Sequence, residues 1–250
     1  MKTLSSVIHK SMELLEAIQP ENDKEEWSAT EISRKLNIPV QTVHRLLSSL
    51  SEARLVYKSK ETKKFRLSFS IIQMGYALRN SLAAYPCSLP IMEKLAQKTN
   101  HCVCLSVLEG TEGIIVDTVA SKTAQIIEPE LMRNPLHIGS ANKVLLAHLP
   151  LSLKEKLINS LLKDDNNLSK EGLESELKTI KKHGFSITVG EIKEGFTEIA
   201  VPIFSWEEKT VAAISVLISG RNVKNHILEE TAISIVQAAE EISLELGWYK

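Results

Sequence analysis

The sequence predicts an α+β protein in which a small N-terminal winged helix-turn-helix domain precedes a larger domain of strands and helices. Two short helical patterns separated by a tight turn lie at residues 28–50, and two short β patterns follow at 55–67. Beyond them, amphipathic helices flank apolar strands. We therefore expect a winged domain at residues 1–68, a linker helix at 69–84 and a second domain at 85–250.

The first helix of the predicted helix-turn-helix carries both a start and a stop signal. Ser28, with Glu31 three residues later, forms a capping box in which each side chain satisfies a free amide. Asn37-Ile38-Pro39 then ends the helix, because Asn tolerates a left-handed backbone and Pro suits the first turn of a new helix. The second helix is therefore expected to begin directly after a tight turn.

The second helix has one apolar and one polar face. Val43, Leu46, Leu47 and Leu50 recur at i, i+3, i+4 and i+7, which predicts a buried stripe. The outward side chains are of the hydrogen-bonding kind that reads base edges, and we predict that they bind DNA: Gln41, Thr42, His44, Arg45 and Ser48. Arg45 is the residue that we expect to contact a guanine or a phosphate.

The β patterns at Leu55–Lys58 and Lys63–Leu67 predict a hairpin with its loop at residues 59–62. We expect four side chains to share its packed face: Leu55, Tyr57, Phe65 and Leu67. Five basic residues are left for the loop or the solvent face and are predicted to bind DNA: Lys58, Lys60, Lys63, Lys64 and Arg66. A helix-turn-helix followed by a basic hairpin is typical of winged helices, which place a helix in the major groove and a wing near phosphates.

The distribution of charge favours DNA binding over a merely solvated helical hairpin with a lysine-rich turn. Residues 27–68 hold nine Lys or Arg and three Glu, about +6, whereas the whole chain is −1. A basic cluster on a small part of a nearly neutral protein indicates a nucleic-acid partner.

The composition excludes several classes of protein. A hydrophobic content of 43% in 250 residues supports a sizeable core. The sequence shows no long apolar run, and we expect neither a cleavable leader nor a membrane partner. Three cysteines, an odd number, argue against a disulfide framework and favour a cytoplasmic location.

Motifs for metal binding or catalysis are weak. His101-Cys102-Val103-Cys104 contains zinc-ligand types, but a second pair at the usual spacing is missing, so core or pocket-lining cysteines are the better interpretation. Neither a glycine-rich phosphate loop nor a nucleophile elbow occurs. We predict no metal, no cofactor and no enzyme activity.

The linker helix carries an apolar stripe of its own. Ile71, Gly75, Leu78 and Leu82 follow one another at 4, 3 and 4 residue spacing. The stripe either packs on its own domain or forms a dimer, which DNA readers of this type use to cover two half-sites.

The second domain reads as alternating strands and helices. Strands are predicted at 102–108, 114–119, 185–189, 196–204 and 210–218, and helices at 89–98, 140–148, 152–162 and 169–183, with a last helix whose stripe runs from Leu228 to Leu246. A sheet covered by helices is the expected arrangement.

The order of these elements and three motifs resembles the isocitrate-lyase-regulator (IclR) family of bacterial transcription factors. The motifs are Ile38 to Leu47, Pro135 to Ala147, and Gly195 to Gly220. The resemblance covers essentially the whole chain. It implies a GAF-like effector-binding second domain, homodimers often paired into homotetramers, a double-stranded DNA operator, and a small-molecule effector that changes operator affinity.

In members that bind small organic acids, the effector lies against the sheet near the Pro-Leu-His motif. Carried over by position, the effector-binding residues here are Ser140, Ala141, Thr188, Glu198, Ser215 and Leu217. A helix N-terminus at Ser140 offers free amides to a carboxylate.

The chain departs from the family pattern at several positions. Asn142 and Arg54 stand where glycines are common, and Glu198 and Leu217 stand where neutral polar residues are common. Because a carboxylate in a half-buried pocket repels an anion unless it is protonated or paired, we hypothesise a neutral or amine-bearing ligand, or one that Glu198 contacts as acceptor. In the alternative, Glu198 points to solvent and the pocket is mostly apolar.

Two other functions remain open at this point. The second domain of a DNA-binding protein can serve ligand-independent dimerisation, and the apolar Leu217 favours that alternative. An enzyme with a DNA-binding module is the other alternative, but the sequence supplies neither a convincing acid–base pair nor a nucleophile.

Overall fold

A computed structural model describes residues 6–21, 23–122, 124–125, 128, 131–220 and 223–249. Internal contacts divide the chain into two units, Met1–Arg79 and Asn80–Lys250. Both units combine helices with strands, so the α+β fold class is confirmed. The finer division into 1–68, 69–84 and 85–250 stays a prediction.

The N-terminal unit is a helix-turn-helix followed by a two-stranded wing and a further helix. Its elements are α1 (Ser6–Ala17), α2 (Ala29–Leu36), α3 (Val40–Glu52), β1 (Val56–Lys58), β2 (Phe65–Leu67) and α4 (Ser70–Asn80). The predicted stripe of α3 is buried against Leu14, Ile18 and Ile32 from the other helices. This core fixes which side of α3 faces solvent.

The predicted boundaries of α2 are confirmed. The Ser28 hydroxyl accepts from the Glu31 amide at 3.3 Å, and the Glu31 carboxylate accepts from the Ser28 amide at 2.7 Å. Asn37 has a φ of 52° and ends the helix in the left-handed conformation. The turn that sets the angle between α2 and α3 is therefore built by local hydrogen bonds.

A Schellman motif ends α3. The Leu55 amide donates to the Leu50 carbonyl at 2.9 Å and the Arg54 amide donates to the Ser51 carbonyl at 3.0 Å. Arg54 takes the left-handed position with a φ of 60°. Glycine is the residue that adopts this position without strain, so Arg54 lowers the stability of the unit.

The packed face of the wing differs from the prediction. Val56 is buried with 3% exposed, whereas Tyr57 is 43% exposed, so its assignment to the packed face is wrong. Trp27 exchanges two backbone hydrogen bonds of 2.8 Å with Phe65 and thereby fixes which way β2 faces. Because Tyr57 pairs with Arg66 across the hairpin, both lie on the opposite face from Phe65.

All eleven residues of α4 are described, and none of them is buried. The predicted linker helix of 69–84 is shorter, since α4 ends at Asn80 and the next helix, α5, begins at Tyr85. Pro86 lies in the first turn of α5, where a missing amide costs nothing. The helix predicted at 89–98 therefore begins four residues earlier.

The C-terminal unit is a six-stranded sheet with helices on both faces. It contains α5 (Tyr85–Thr99), β3 (Cys102–Glu109), β4 (Glu112–Ala120), β5 (Arg133–Pro135), α6 (Ser140–His148), α7 (Leu151–Asp164), α8 (Lys170–His183), β6 (Ser186–Val189), β7 (Phe196–Phe204), β8 (Thr210–Ser219) and α9 (Asn225–Glu245). The strand order is β5-β4-β3-β8-β7-β6, and every neighbouring pair is antiparallel. The sequence did not predict β5.

Alternation along the central strands sends side chains to two different cores. Residues such as Val103, Ile199 and Val216 pack with α5 and α9, whereas Ala200 and Ala213 pack with α6, α7 and α8. This second face places the N-terminus of α6 against β7 and β8. In the described part of the chain, no helix combines the length and the apolar character needed to cross a membrane.

Candidate DNA-binding surface and effector pocket

The solvent face of α3 includes the five polar residues that the sequence assigns to DNA, together with Val40, Ser49 and Glu52. Gln41, His44, Arg45 and Ser48 are exposed and Thr42 is half-buried, while Val43, Leu46, Leu47 and Leu50 are buried behind them. The amphipathic pattern thus orients the helix, and Arg45 projects from the middle of its free face. Such a face can donate and accept hydrogen bonds along a groove.

The wing holds its basic side chains in two ways. Lys58, Lys60 and Lys63 are exposed, whereas Lys64 is half-buried. The Arg66 guanidinium lies over the rings of Tyr57 and Phe69, with its central carbon 4.5 and 4.3 Å from their centroids. The exposed ring of Tyr57 thus holds a positive charge in place through a cation–π contact.

Two lysines outside the predicted set contact Trp27, Lys24 from the loop before α2 and Lys35 from the last turn of α2. Lys24 and Lys35 lie 3.9 and 4.5 Å from the Trp27 ring centroid. Lys24 also donates to Glu31 at 2.8 Å, and this bond, with the Ser28 amide, lowers the pKa of Glu31 to about 2. These contacts stabilise the start of α2, which supports α3.

In the C-terminal unit, the N-terminus of α6 is bonded to two strands of the sheet. The Ser140 hydroxyl lies 2.9 Å from the Thr188 hydroxyl on β6 and donates to the Glu198 carbonyl on β7 at 2.8 Å. The Ser140 amide donates to the Glu198 carboxylate at 2.6 Å. The structure therefore brings Ser140, Thr188 and Glu198 into one buried cluster.

Glu198 is a buried carboxylate with only 3% of its surface exposed, so the alternative in which it points to solvent is wrong. Its pKa is raised to about 7, chiefly by burial, and the nearby Glu191 contributes in the same direction. The Ser215 hydroxyl and the amides of Ser140 and Ala141 act in the opposite direction. Desolvation prevails because hydrogen bonds replace only part of the lost hydration.

Ser215 and Leu217 lie on the same face of the sheet as Glu198. Leu217 is directly opposite Glu198, and Ser215 is opposite both Ala200 and Cys104. Cys102 and Cys104 form a small apolar cluster with Leu217. All six predicted effector-pocket residues are thus neighbours, although their role as ligand contacts stays a prediction.

An ion cluster beside this pocket was missed by the sequence analysis. Lys143 Nζ donates to Glu176 and to Glu191, each at 2.7 Å, and Glu191 also accepts from the Gly139 amide at 2.9 Å. Lys143 is the one charged residue in the buried run from Ser140 to Ala147. A charge directly before the apolar run from Val144 to Ala147 was the signal that could have revealed it.

Asn142, which stands where the family commonly has glycine, is part of the support of this site. Its amide donates to the carbonyls of Asn134, Pro135 and Ile138 at 3.3, 3.2 and 2.8 Å. A Cβ atom on Gly113 would lie 1.8 Å from the Asn142 oxygen. The Asn142 side chain therefore links the segment before α6 to the helix, and it has room to do so only because residue 113 is a glycine.

Gly139, the residue before α6, closes the pocket from one side. Its φ is 88°, and a Cβ atom there would lie 2.8 Å from Ile192 Cδ1 and 3.1 Å from Glu198 Oε2. Beside Ile192, a cavity of about 10 Å³ is lined by Gln125, Glu128, Leu131, Ile192, Lys193, Phe196 and Leu217. That volume has room for about one water molecule.

The described residues contain no cluster of three or more His, Cys, Asp or Glu side chains placed to hold a metal ion. Cys102 and Cys104 share one face of β3, as alternation predicts. The neighbouring Cys102 thiol and burial raise the pKa of Cys104 well above its ordinary value, so this thiol is not reactive at neutral pH. His137 Nε2 lies 3.5 Å from an Asp165 carboxylate oxygen.

Comparison with known proteins assigns both units. Residues 81–244 match a family profile described as the bacterial transcriptional regulator IclR C-terminal domain, and residues 7–60 match the IclR helix-turn-helix domain. Together the two profiles span most of the chain.

Individual proteins agree with these profiles. The transcriptional regulator XynR of Escherichia coli is 25% identical over 89% of this chain and 90% of its own length. The Thermotoga maritima IclR crystal structure superposes with a TM-score of 0.80 at 24% identity, covering 97% of this chain and 99% of that one. An IclR homologue from Microbacterium hydrocarbonoxydans, crystallised with 4-hydroxybenzoate, is 25% identical with a TM-score of 0.75, covering 96% and 99%.

Proposed function

The chain belongs to the IclR family of bacterial transcriptional regulators, and on that premise we propose that α3 reads an operator sequence. We also propose that a small molecule bound at the start of α6 changes the affinity of the protein for that operator. The protein is a DNA-binding transcriptional regulator rather than an enzyme. Within this function, α3, the wing and the pocket at α6 are proposed to have different roles. Since the target of such a regulator is the bacterial chromosome, we also place the protein in the cytoplasm.

The exposed polar face of α3 is the observation that carries the DNA-reading part. In the major groove, Arg45 is the side chain suited to a guanine edge, since a guanidinium bonds two acceptors at once. Gln41, His44 and Ser48 flank it on the same face, and Thr42 lies at its start. These residues are proposed to supply sequence preference.

The wing is proposed to supply affinity that does not depend on sequence. Lys58, Lys60, Lys63 and Lys64 carry charge at or near the hairpin loop, and stacking pre-orients Arg66. Phosphate contacts of this kind position a protein on the duplex and make its affinity depend on salt.

The effector part rests on the polar cluster buried at the N-terminus of α6. Buried polar groups are costly, and a domain that served only for dimerisation would not need a carboxylate among Ser140, Thr188 and Ser215. The relative with 4-hydroxybenzoate is a homologue crystallised with a small organic molecule. We propose Ser140, Ala141, Thr188, Glu198, Ser215 and Leu217 as the residues around the effector.

A homodimer through α4 is also proposed, and pairing into a tetramer is compatible with it. Phe69, Ile72, Met74 and Tyr76 are each 60% exposed or more on or beside a helix without a buried residue. Apolar side chains at this density mark a surface that another protein covers. A dimer also presents two copies of α3 to two half-sites.

A selection of duplexes from a random DNA library by the full-length protein tests the DNA-reading part, since a regulator of this kind should enrich a two-fold symmetric site. A thermal-shift screen against metabolites, followed by titration of the selected site with and without each hit, tests the effector part. A ligand at a hundred times its dissociation constant adds about 2.7 kcal/mol to stability.

Ligand-independent dimerisation is the second candidate for the C-terminal unit, and the small cavity favours it, since about 10 Å³ holds no metabolite. The two candidates differ in a simple way. A screen in which no compound shifts the melting temperature of a protein that binds its selected site favours dimerisation alone.

A further inference from the structure

The Glu198 carboxylate occupies the place at the start of α6 where an organic acid is expected to bind. It accepts from the Ser140 amide at 2.6 Å and also from the Ala141 amide. The helix amides that would bind an incoming carboxylate are therefore already used by a side chain of the protein. A second carboxylate in this buried place would also meet a like charge.

Among the residues that the structure describes, no cation forms an ion pair with Glu198. The nearby Lys143 is bonded to Glu176 and Glu191 instead. Glu191 adds negative charge close to Glu198 rather than cancelling it. A buried carboxylate in such surroundings is complemented by a ligand that brings positive charge.

Two buried hydroxyl oxygens on the same face of the sheet accept no hydrogen bond of regular geometry from the described atoms. They are Ser215 Oγ and Ser106 Oγ, and both residues are at most 1% exposed. The Ser215 hydroxyl is directed at the Glu198 carboxylate as a donor and lowers the pKa of that carboxyl, which leaves its oxygen free to accept. A hydroxyl oxygen accepts a hydrogen bond from an ammonium or amidinium group, so Ser215 can serve as a second acceptor.

Apolar side chains lie next to the Glu198 carboxylate. Leu217 is directly opposite Glu198, and it packs in one cluster with Ile192, Phe196, Cys102 and Cys104. The cavity beside Leu217, Ile192 and Phe196 is small, so a ligand that reaches Glu198 must be small and must displace Ile192 or Phe196. These apolar side chains favour a ligand with an apolar body.

We propose that this pocket binds a small organic cation, an amine or amidine with an apolar body, whose charged group pairs with Glu198 and donates to Ser215. The inference rests on the proposed effector function and narrows the ligand to one charge class. It also excludes the organic acids, because Glu198 itself replaces their carboxylate at α6.

The test compares probes that share a skeleton and differ in charge. The melting temperature of the full-length protein is measured with benzylamine, benzyl alcohol and benzoate, and with butylamine, butanol and butyrate. The expected result is a concentration-dependent rise for the amines and none for the acids. The hits are then titrated into the protein bound to its selected DNA site.

Glu198→Gln is the diagnostic variant, since glutamine keeps the shape and the acceptor for Ser140 but removes the charge. We expect at least a tenfold weaker affinity for benzylamine. Glu229→Gln is the matched control, because Glu229 is an exposed carboxylate on α9, which packs on the other face of the sheet. We expect the control to bind benzylamine within about twofold of the unmodified protein, since single exposed charges contribute little.

The possible outcomes distinguish a failure of the cationic pocket from a failure of the proposed effector function. A rise with benzoate, butyrate or the alcohols but not with the amines overturns the cationic ligand and leaves effector binding standing. A protein that binds DNA but responds to none of the six probes overturns the cationic pocket, and the wider metabolite screen then decides whether any effector binds. Equal benzylamine affinity in Glu198→Gln and the unmodified protein also overturns the inference. The six-probe series in the unmodified protein decides the preferred charge even if the variant does not fold.

Discussion

Replacing Glu198 by Gln should stabilise the C-terminal unit at neutral and alkaline pH but not at acid pH. In the folded protein, burial raises the pKa of Glu198 from an ordinary 4.5 to about 7. The folded state therefore binds this proton more tightly than the unfolded state does. Binding of this proton stabilises the folded state fully below pH 4.5. The stabilisation declines between pH 4.5 and pH 7 and is absent above pH 7.

The size of the effect follows from the shift. A difference of about 2.5 between the two pKa values corresponds to about 3 kcal/mol of unfolding free energy at full ionisation. Glutamine has no charge to desolvate and still offers an oxygen to the Ser140 amide. The stability difference between Glu198→Gln and the unmodified protein should thus grow by about 3 kcal/mol from pH 4.5 to pH 8.

Urea unfolding followed by tryptophan fluorescence measures this difference. A Trp27→Phe background removes the single tryptophan of the N-terminal unit, so that Trp206 and Trp248 report the C-terminal one. Glu229→Gln, on the exposed face of α9, is the matched control and should show a flat difference. Other groups near Glu198, such as Glu191, Lys143, Cys104 and Asp117, are common to both proteins and cancel to first order.

A stability difference that stays constant between pH 4.5 and pH 8 would refute the reasoning, because it would mean that the carboxylate is solvated or paired when ionised. If the stability difference became smaller as the pH rises, the pKa of Glu198 would be lowered by folding rather than raised.

Two positions with a left-handed backbone, Arg54 and Gly139, give the remaining predictions for stability. Arg54→Gly relieves a left-handed strain of about 1–2 kcal/mol and loses about 0.5–1 to chain entropy, so we expect urea unfolding to show a net gain of about 0.5–1. Ala53→Gly, one residue earlier at a φ of −73°, should show only the loss. Gly139→Ala adds a clash with Ile192 to its strain and should destabilise the C-terminal unit more than Gly110→Ala, where a Cβ atom meets nothing within 4 Å. Equal losses at the two glycines would mean that the contact carries no energy.

Local patterns predicted the elements that have long, regular periodicity. β7 was predicted at 196–204 and forms at those residues, and the capping box of Ser28 fixes the start of α2. Short elements were less predictable. The wing strands are three residues long, so their facing depends on a backbone pairing between Trp27 and Phe65 that no local pattern contains.

The candidate pocket was predictable only in part. Alternation put Glu198, Ala200 and Pro202 on one face of β7, but whether that face met water or α6 was decided by helix packing elsewhere in the unit. The bond between Ser140 and Glu198 joins residues 58 positions apart. The ion cluster of Lys143 likewise joins helices and a loop that only the fold brings together.

The central claim is that the free face of α3 reads DNA sequence while the wing supplies general affinity. The measurement that tests it most directly is the affinity of Arg45→Ala and Lys64→Ala for a selected site and for a scrambled duplex, over a range of salt concentrations. Arg45→Ala should lose about 1–3 kcal/mol on the selected site and much less on the scrambled one. Lys64→Ala should lose affinity equally on both and flatten the salt dependence. Equal losses on the two duplexes for Arg45→Ala would contradict the account.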